Sequence, residues 1–316
     1  MNVLNRILVT GATGFVGRRL VPRLLSDGQK VQALSRSEPD FSSPVQQKEA
    51  LQWRLCDLTD PHGIYDPFVE NCDAVVHLAG QAHDPSAGDS AYETLNYTVT
   101  RRLAQTAATN GVKHFIFVST IKVNGGDYDF AERSYSEHDR PVPEGRYGES
   151  KWRAEQALYE ACETSGMRCT VLRPPLIYGP GVKANFLALM KAVYKGLPLP
   201  LAAIDNRRSL IYVDNLCDVI VRLLRQAPAD NKTYVVKDET LSTPELIRSI
   251  AEGLRVEPRL FSVPVSLLKL AGSVTGKRSI VDRLTQSLVV DDSAIRRDLG
   301  WQPPVSLQQG TRETAE

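Results

Sequence analysis

Tyr147 and Lys151 are side chains suited to moving a proton, because they stand four residues apart in the segment Tyr-Gly-Glu-Ser-Lys. Residues 146–162 are rich in helix formers and charged residues, and on a helix such a pair shares one face with its Cβ atoms about 5–6 Å apart. A phenol has a pKa near ~10, and a lysine cation beside it stabilises the phenolate and lowers that pKa. The pattern predicts that Tyr147 acts as a general acid or base.

A glycine-rich loop near the N-terminus has the features of a phosphate-binding turn. Residues 6–10 form a short apolar run, typical of a buried parallel strand, and apolar residues at helical spacing follow the loop. Gly11 permits a tight turn, Gly14 lets the backbone approach a pyrophosphate, and Gly17 lets the helix pack closely on the strand. Since a helix N-terminus also offers free N–H groups to phosphates, we predict a bound dinucleotide.

The loop decides how the Tyr/Lys pair is interpreted. Taken alone, the spacing equally fits a surface tyrosine and an exposed lysine on an amphipathic helix. With a dinucleotide site upstream in the same chain, catalysis is favoured. Together the two features predict a nicotinamide-dependent enzyme that acts on a carbonyl or an alcohol.

Alternating strands and helices must position these residues. Strand patterns occur at residues 7–10, 30–34, 51–55, 74–78, 115–119 and 169–172, with helical patterns between them, such as 90–110 and 148–165. Such alternation predicts an α/β fold, a Rossmann-type doubly wound parallel sheet with a smaller C-terminal substrate lobe. We predict a dinucleotide-binding domain over 1–173, with returning segments from about 208–237, and a substrate lobe over most of 174–316.

Composition excludes several other classes of protein. The chain has 316 residues, 42% hydrophobic content and a net charge of +1, which gives no reason to expect a nucleic-acid or anionic-membrane partner. No apolar run approaches the ~20 residues of a membrane span, and we interpret residues 263–274 as an amphipathic or core helix. Five cysteines without a C-x-x-C pair and five scattered histidines predict no metal site and reduced thiols in a cytoplasmic protein.

Seven motifs in order make the chain resemble an extended short-chain dehydrogenase/reductase of the NAD-dependent epimerase/dehydratase group. The resemblance runs from about residue 5 to 310. The motifs are Gly11/Gly14/Gly17, Cys56-Asp57-Leu58, His77-Leu78-Ala79-Gly80, Asn96, Val118-Ser119-Thr120, Tyr147/Lys151 and Leu172-Arg173-Pro174-Pro175. The cofactor contacts that the resemblance implies are Gly11, Thr13, Gly14, Phe15, Val16, Gly17, Arg36, Asp57, Leu58, Leu78, Ala79, Gly80, Ser119, Tyr147, Lys151 and Pro174.

The resemblance also implies a third catalytic residue, a Ser or Thr after the fifth strand. Counting back five residues from Gly125 gives Thr120, and Ser119 becomes its neighbour near the nicotinamide. The segment from Thr120 to Gly125 has Asn124 where many relatives have Tyr, and it carries Lys122. This version resembles a subgroup of reductases and epimerases of UDP-N-acetyl-6-deoxyhexoses in bacterial surface-polysaccharide synthesis.

The end of the second strand bears on the choice of cofactor. Similar NAD-specific enzymes place an Asp or Glu there, whereas this chain has Ala33-Leu34-Ser35-Arg36 and no acid before Glu38. Arg36 can meet a 2′-phosphate through charge-assisted hydrogen bonds. We therefore predict that NADP(H) is favoured over NAD(H).

The substrate implied by the resemblance is a UDP-sugar. Arginine suits a diphosphate because it is always charged and offers a rigid fork of donors. By register with the family, Asn185, Arg208 and Arg283 are expected near the diphosphate, and Lys122 lines the pocket together with the catalytic Thr120. Relatives often pair through two helices, here 90–110 and 148–165, so a homodimer is expected, although the fold itself could equally cover those helices.

The predicted reaction is NAD(P)H-dependent reduction of the C4 keto group of a UDP-4-keto-6-deoxy-N-acetylhexosamine in O-antigen precursor synthesis. The alternative is a UDP-hexose or UDP-N-acetylhexosamine 4-epimerase that uses bound NAD. A 4,6-dehydratase would need an acid/base pair where Ile121 and Lys122 stand. A more distant alternative is a cofactor-binding regulatory protein without turnover.

Overall fold

The computed structural model describes residues 6–36, 50–82, 88–129, 133–228 and 230–316. Its main sheet consists of seven parallel strands in the order β3-β2-β1-β4-β5-β6-β9. These strands are β1 (Ile7–Thr10), β2 (Val31–Ser35), β3 (Leu51–Leu55), β4 (Ala74–His77), β5 (His114–Val118), β6 (Arg168–Arg173) and β9 (Lys232–Val235). The sheet confirms the predicted Rossmann-type α/β fold, with each predicted strand present within one or two residues of its expected bounds.

Helices cover both faces of the sheet. In the described parts of the chain they are α1 (Gly17–Ser26), α2 (Asp66–Val69), α3 (Asp89–Tyr92), α4 (Val99–Thr109), α5 (Gly145–Glu163), α6 (Ala184–Tyr194), α7 (Val213–Arg225), α8 (Thr243–Leu254), α9 (Val265–Val274), α10 (Arg278–Thr285), α11 (Ser293–Leu299) and α12 (Leu307–Ala315). One core lies between the sheet and α1 and α7, where Leu20 and Ile220 are fully buried. The other lies between the sheet and α4 and α5, where Leu103 and Leu158 are fully buried.

The helix predicted at 90–110 is interrupted by a π-helical segment, Glu93–Thr98, between α3 and α4. The wider turn places Asn96 in the interior with no exposed surface. Its side-chain oxygen accepts a hydrogen bond from the Gln81 nitrogen, in the loop that follows β4. Such π segments are rare and are frequent at functional sites. Sequence periodicity could not show it, because the apolar spacing on either side is that of an ordinary helix.

A second sheet of three strands forms in the C-terminal half, in the order β10 (Glu239–Leu241), β8 (Arg208–Tyr212) and β7 (Leu176–Tyr178). Of the segment 208–237 that was predicted to return to the main sheet, β9 joins it and α7 packs against it. The strand Arg208–Tyr212 does not, because it pairs with Leu176–Tyr178 instead. The division of the chain near residue 173 stays a prediction.

Among the described helices, none is both long enough and apolar enough to cross a bilayer. The predicted apolar helix at 263–274 is present as α9, and it packs on the C-terminal core through Val265 and Leu268.

Candidate active site

The glycine loop between β1 and α1 lies directly against the backbone that follows β4. Gly11 has a left-handed φ of +66°, and a Cβ there would lie 2.7 Å from the Ala79 nitrogen and 2.8 Å from the Leu78 carbonyl carbon. At Gly17 a Cβ would overlap the Gly11 carbonyl oxygen. The glycines are therefore required by close backbone approach, and the cradle that they form fits a dinucleotide pyrophosphate at the start of α1.

The other loop residues hold this turn in place. Thr13 accepts a hydrogen bond of 2.8 Å from Arg18 Nε through its carbonyl oxygen. Phe15 and Val16 are half-buried and pack on the core of the C-terminal lobe. Gly14 itself is exposed, which leaves its backbone open to a ligand.

Asp57 and Arg36 lie together at the ends of β3 and β2. Asp57 Oδ1 accepts hydrogen bonds of 2.9 Å from the Thr59 nitrogen and 2.7 Å from Thr59 Oγ1. These bonds, with a smaller contribution from the Arg36 charge, hold the pKa of the Asp57 carboxyl below its ordinary value. Leu58 is buried, and its carbonyl oxygen accepts from Tyr65. The pair Arg36–Asp57 therefore presents one positive and one negative charge.

Thr120 and Tyr147 are brought together, although they are far apart in the chain. Thr120 follows β5, caps the short 3-10 helix Ile121–Val123, and accepts a 3.3 Å hydrogen bond from the Lys122 nitrogen. Tyr147 lies in the first turn of α5 and is hydrogen-bonded to the Thr120 side chain. A hydroxyl and a phenol in contact form the pair that could hold and protonate one substrate oxygen.

Lys151 lies one helical turn beyond Tyr147 and is only 5% exposed. Its ammonium donates a 3.0 Å hydrogen bond to the Val118 carbonyl oxygen and lies 4.6 Å from the centre of the Phe117 ring. A Cβ at Gly80 would lie 3.0 Å from Asn96 Oδ1 and 3.1 Å from Lys151 Nζ, so a side chain there would require these groups to shift by a few tenths of an ångström. The loop after β4 and the catalytic helix thus meet at this cation.

Burial shifts the pKa of both groups. Burial raises the pKa of Tyr147 to about 12, against the hydrogen bond from Thr120, which lowers it. Burial lowers the pKa of Lys151 to about 8, against the charge of Glu155, which raises it. The lowered tyrosine pKa that the spacing predicts is therefore outweighed by burial, and at neutral pH the pair consists of a neutral phenol and an ammonium.

A buried ionic network lies behind these residues. Glu155, with no exposed surface, accepts hydrogen bonds of 2.5 Å from Ser119 Oγ, 3.1 Å from Arg173 Nε and 2.5 Å from Arg173 Nη2. Arg173 Nη1 donates to Asn124 Oδ1 at 2.9 Å, and Asn124 donates to the Ser136 carbonyl at 2.7 Å. The network fixes Ser119 and Asn124 and holds a negative charge one turn beyond Lys151.

Sequence reasoning gave no role to Glu155, although it stands four residues after Lys151, the same spacing that identified the Tyr/Lys pair. It also gave no role to Asn96. Asn96 accepts from the Gln81 nitrogen at 2.8 Å and donates to Ser150 Oγ at 3.0 Å, which ties the loop after Gly80 to α5. The signal for Asn96 was its place in the family motif.

His77 is a third buried side chain without a predicted role. Its ring contacts Thr10 Oγ1 at 2.6 Å and Thr100 Oγ1 at 2.9 Å, and burial lowers its pKa to about 3. It is therefore neutral and joins β1, β4 and α4 rather than titrating near neutral pH.

The predicted substrate residues are only partly assembled. Lys122 Nζ lies 3.3 Å from Asp127 Oδ1, and Arg208 Nη2 lies 3.4 Å from the same oxygen. Lys122 also pairs with Glu144 Oε2 at 2.5 Å, and Arg208 Nη1 donates to the Gln286 carbonyl at 3.0 Å. A shared carboxylate therefore holds the two cations near each other.

Asn185 and Arg283 lie apart from that pair. Asn185 is exposed at the start of α6, and Arg283 is half-buried in the last turn of α10, three residues before Gln286, whose carbonyl binds Arg208. No hydrogen bond or ion pair among the described residues joins either of them to Lys122 or Arg208. Pro174, from the predicted cofactor set, is buried and accepts a 3.0 Å hydrogen bond from the Ile121 nitrogen.

Within the described ranges, no group of three or more His, Cys, Asp or Glu side chains could hold a metal ion. The five cysteines are unpaired, and four of them are buried.

Comparison with known proteins identifies the relatives of this arrangement. The family described as "NAD dependent epimerase/dehydratase family" matches residues 7–236. A UDP-glucose 4-epimerase of Vibrio cholerae is 39% identical over 98% of this chain and 94% of its own length. An N-acetyl-α-D-glucosaminyl-diphospho-ditrans,octacis-undecaprenol 4-epimerase of Escherichia coli O157:H7 is 26% identical over 99% and 95%. The structure of MoeE5 in complex with UDP-glucuronic acid and NAD covers 98% of both chains at 23% identity, with a TM-score of 0.79.

These findings correct the cofactor prediction. The matching family is described as NAD dependent, and the MoeE5 structure contains NAD. The prediction that NADP(H) is favoured over NAD(H) is therefore wrong. The physical reason lies at Arg36, whose charge faces the ionised Asp57, and a doubly charged 2′-phosphate there would meet that carboxylate as well as the guanidinium.

Proposed function

Because this chain belongs to the NAD dependent epimerase/dehydratase family and is an enzyme of the short-chain dehydrogenase/reductase type, we propose that it is a UDP-sugar 4-epimerase that works with NAD. The observation that carries the proposal is the hydrogen bond between Thr120 and Tyr147 beside the buried ammonium of Lys151. These three side chains lie where the cradle at Gly11 and the space beside Gly80 would bring NAD and the sugar together.

The residues around the glycine loop fit NAD. Gly11 and Gly17 leave a backbone surface that a side chain would fill, and Gly80 opens space next to Lys151. When bound, NAD supplies the acceptor that takes a hydride from the sugar C4 carbon and returns it to the opposite face. Asp57 and Arg36 lie at the end of the sheet where the adenosine half belongs.

The proton of the C4 hydroxyl is handled by this chain's own side chains. Tyr147 takes that proton during oxidation and returns it during reduction, and Thr120 holds the same oxygen by its hydroxyl. To act as a base, Tyr147 must be a phenolate, and the ammonium of Lys151, one helical turn away, is the cation that stabilises this form. Lys151 is protonated at neutral pH because its pKa of about 8 lies above 7.

Two features of the C-terminal lobe support a substrate that the protein binds through a nucleotide diphosphate. Arg208 is held in position by Asp127 and the Gln286 carbonyl, so its fork of donors is pre-oriented. Arg283 lies on the neighbouring helix α10. The UDP-glucose 4-epimerase of Vibrio cholerae and the UDP-glucuronic acid in MoeE5 support uridine diphosphate as the nucleotide, and the undecaprenol-linked relative supports a role of the product in surface-polysaccharide precursors.

The reductase hypothesis is not confirmed, and the relatives fit the epimerase at least as well. The reductase hypothesis rested on the missing acid after β2 and on the segment from Ile121 to Gly125. Arg36 no longer argues for NADP(H). Asn124 has a packing role, since it joins Arg173 to the Ser136 carbonyl, and Lys122 is engaged by Asp127 and Glu144. An epimerase, which keeps its cofactor, is therefore preferred to an enzyme that exchanges it.

We further propose that the protein forms a homodimer and that it works in the cytoplasm. The π segment and α5 present a polar outer face, where Arg153 pairs with Glu93 at 2.6 Å and stacks 3.9 Å from the Tyr97 ring. Light scattering on the eluting peak of a size-exclusion column measures the dimer, and a monomer at micromolar concentration contradicts it. The five unpaired thiols support a reducing compartment.

The deciding experiment incubates the purified full chain, without added cofactor, with UDP-glucose or UDP-N-acetylglucosamine and separates the C4 epimers by chromatography. We expect conversion toward equilibrium, with NAD released when the protein is denatured. Tyr147→Phe is the control and should retain NAD but not convert either sugar. If neither sugar is converted and a UDP-4-keto-6-deoxy-N-acetylhexosamine instead consumes added NADH, the enzyme is a reductase.

A further inference from the structure

Large exposed apolar side chains are concentrated in one stretch of the C-terminal lobe. Of the eleven exposed large hydrophobic residues in the described parts of the chain, five lie between residues 261 and 280. They are Phe261, Leu267, Leu270, Val274 and Ile280. The other six are spread over residues 55–197, with only Tyr194 and Leu197 near each other in the chain. Scattered apolar residues are normal for a protein surface, whereas a cluster of five marks an interaction site.

Helix α9 presents the centre of this cluster as a stripe. Leu267, Leu270 and Val274 are spaced by three and four residues, so they share one face, and they are 53%, 61% and 79% exposed. The opposite face is packed, because Val265 and Leu268 join the core and Gly272 is buried against Val281 of α10. The apolar face is therefore fixed outward by the fold, and a small rotation of the helix could not bury it.

The same stretch is basic. Between Glu257 and Asp282 the sequence contains no acidic residue, and it contains Arg259, Lys269, Lys277 and Arg278. Lys277, at the end of the turn after α9, and Arg278, the first residue of α10, are exposed just beyond the end of the stripe. Arg278 Nε lies 3.7 Å from Asp282 Oδ2, but its side chain is 75% exposed. The net charge of the whole chain conceals this local excess of positive charge.

The small area of the stripe indicates which kind of surface covers it. A ten-residue helix is about 15 Å long and roughly 10 Å wide, so one face offers on the order of 150 Å², well below the ~800 Å² per partner that a stable dimer buries. A lipid surface needs no such area, because an amphipathic helix binds by inserting its apolar side chains at the headgroup boundary while basic residues attract anionic headgroups. We propose that the α9–α10 hairpin docks this protein on the surface of an anionic phospholipid bilayer, with the stripe of Leu267, Leu270 and Val274 inserted and with Lys277 and Arg278 on the headgroups.

Docking in this manner would place the substrate lobe against the membrane. The hairpin adjoins the substrate residues, since Lys269 donates a 3.0 Å hydrogen bond to Asp129, and α10 carries Arg283 and leads into the Gln286 carbonyl that binds Arg208. The proposal does not depend on the activity proposed above, because vesicle binding is measured without substrate.

The test is co-sedimentation of the full chain with vesicles of phosphatidylglycerol and phosphatidylcholine in equal parts, and with vesicles of phosphatidylcholine alone. We expect the wild type to pellet with the anionic vesicles and much less with the neutral ones. The triple variant Leu267→Glu/Leu270→Glu/Val274→Glu should bind at least roughly tenfold more weakly, because charged residues replace the inserted ones. Lys277→Gln/Arg278→Gln should remove the preference for anionic vesicles.

The matched control is Leu55→Glu/Ile64→Glu, which adds charge at two equally exposed apolar residues outside the hairpin, 57% and 68% exposed. It should pellet like the wild type. Circular dichroism checks that each variant is folded. The proposal is overturned if the wild type stays in solution with anionic vesicles, or if the triple variant pellets as well as the wild type. It is overturned equally if the triple variant abolishes a dimer while no protein binds vesicles, since a second copy would then cover the stripe.

Discussion

The ammonium of Lys151 donates a 3.0 Å hydrogen bond to the Val118 carbonyl oxygen, so a cation is held inside the protein at the carboxyl end of β5. Its pKa is lowered from 10.5 to about 8 by burial, which means that the charged form is disfavoured in the folded state. Below about pH 8 the folded protein must hold this ion, and the cost is fully present at pH 7. Between about pH 8 and 10.5 the folded state loses the proton first, so the cost is relieved and stability rises with pH.

Lys151→Met should therefore stabilise the protein while abolishing turnover. We expect the free energy of unfolding at pH 7 to rise by roughly 1–3 kcal/mol, and the gain to disappear near pH 10. Urea unfolding at the two pH values measures this. The exposed Lys195→Met is the control and should change stability by less than ~0.5 kcal/mol. Equal loss of stability at both pH values would contradict this prediction, because it would mean that the side chain acts through packing and hydrogen bonding and not through its charge.

Tyr147→Phe should lower kcat by roughly 10²–10⁴ without loss of bound NAD, because only the proton-transferring hydroxyl is removed. The control is Tyr159→Phe in the same helix, whose hydroxyl contacts Thr233 Oγ1 at 2.5 Å, away from the site. This control should lose about 1 kcal/mol of stability and keep its activity. Steady-state kinetics and thermal unfolding of both variants separate the two roles, and similar kcat values for both would exclude Tyr147 as the acid or base.

Glu155→Gln should have two effects, one on stability and one on the pH profile. Removing the carboxylate leaves Arg173, which is 3% exposed, without its charge partner, and breaking a buried pair costs about 3–5 kcal/mol. Because the charge of Glu155 raises the pKa of Lys151, its loss should lower that pKa further, and the alkaline fall of kcat/KM should move to lower pH.

Ser119→Ala is the matched control for that variant. It removes the 2.5 Å hydrogen bond to Glu155 but leaves the carboxylate and its charge in place. The fall of kcat/KM at alkaline pH should occur at the same pH as in the wild type. If this fall moves in Ser119→Ala as far as in Glu155→Gln, the shift comes from disturbed packing and not from the charge.

The strands and the glycine loop were predictable because each depends on a local apolar run or on a short motif, whereas the placing of Thr120 and Tyr147 at one site followed from the family resemblance. The π segment at Glu93–Thr98 was not predictable, since it leaves the apolar spacing of the flanking helices unchanged. Nor was the pairing of Arg208–Tyr212 with Leu176–Tyr178, because strand partners depend on tertiary packing. The pKa of Tyr147 was predicted in the wrong direction, since a charge partner can be read from spacing whereas burial cannot.

Arg208→Lys should raise KM for a UDP-sugar by roughly tenfold with little change in kcat, because a lysine cannot reproduce the rigid fork of donors. The neighbouring Arg207 is exposed and pairs with Glu245 at 3.4 Å, so Arg207→Lys is the matched control and should leave KM unchanged. Initial rates over a range of substrate concentrations measure both. A fall in kcat at constant KM in Arg208→Lys would place this arginine in the chemical step instead of in substrate binding.

Gly11→Ala should abolish NAD binding, whereas Gly28→Ala should not, although both glycines have left-handed backbone, with φ of +66° and +76°. At Gly28 a Cβ has nothing within 4 Å, so alanine adds only the strain of the backbone, about 1–2 kcal/mol. At Gly11 the Cβ would also lie 2.7 Å from the Ala79 nitrogen, so the loop must move away from the backbone after β4. Thermal unfolding and the NAD content of each purified variant separate strain from overlap, and equal NAD content in the two variants would mean that this close approach does not shape the cofactor cradle.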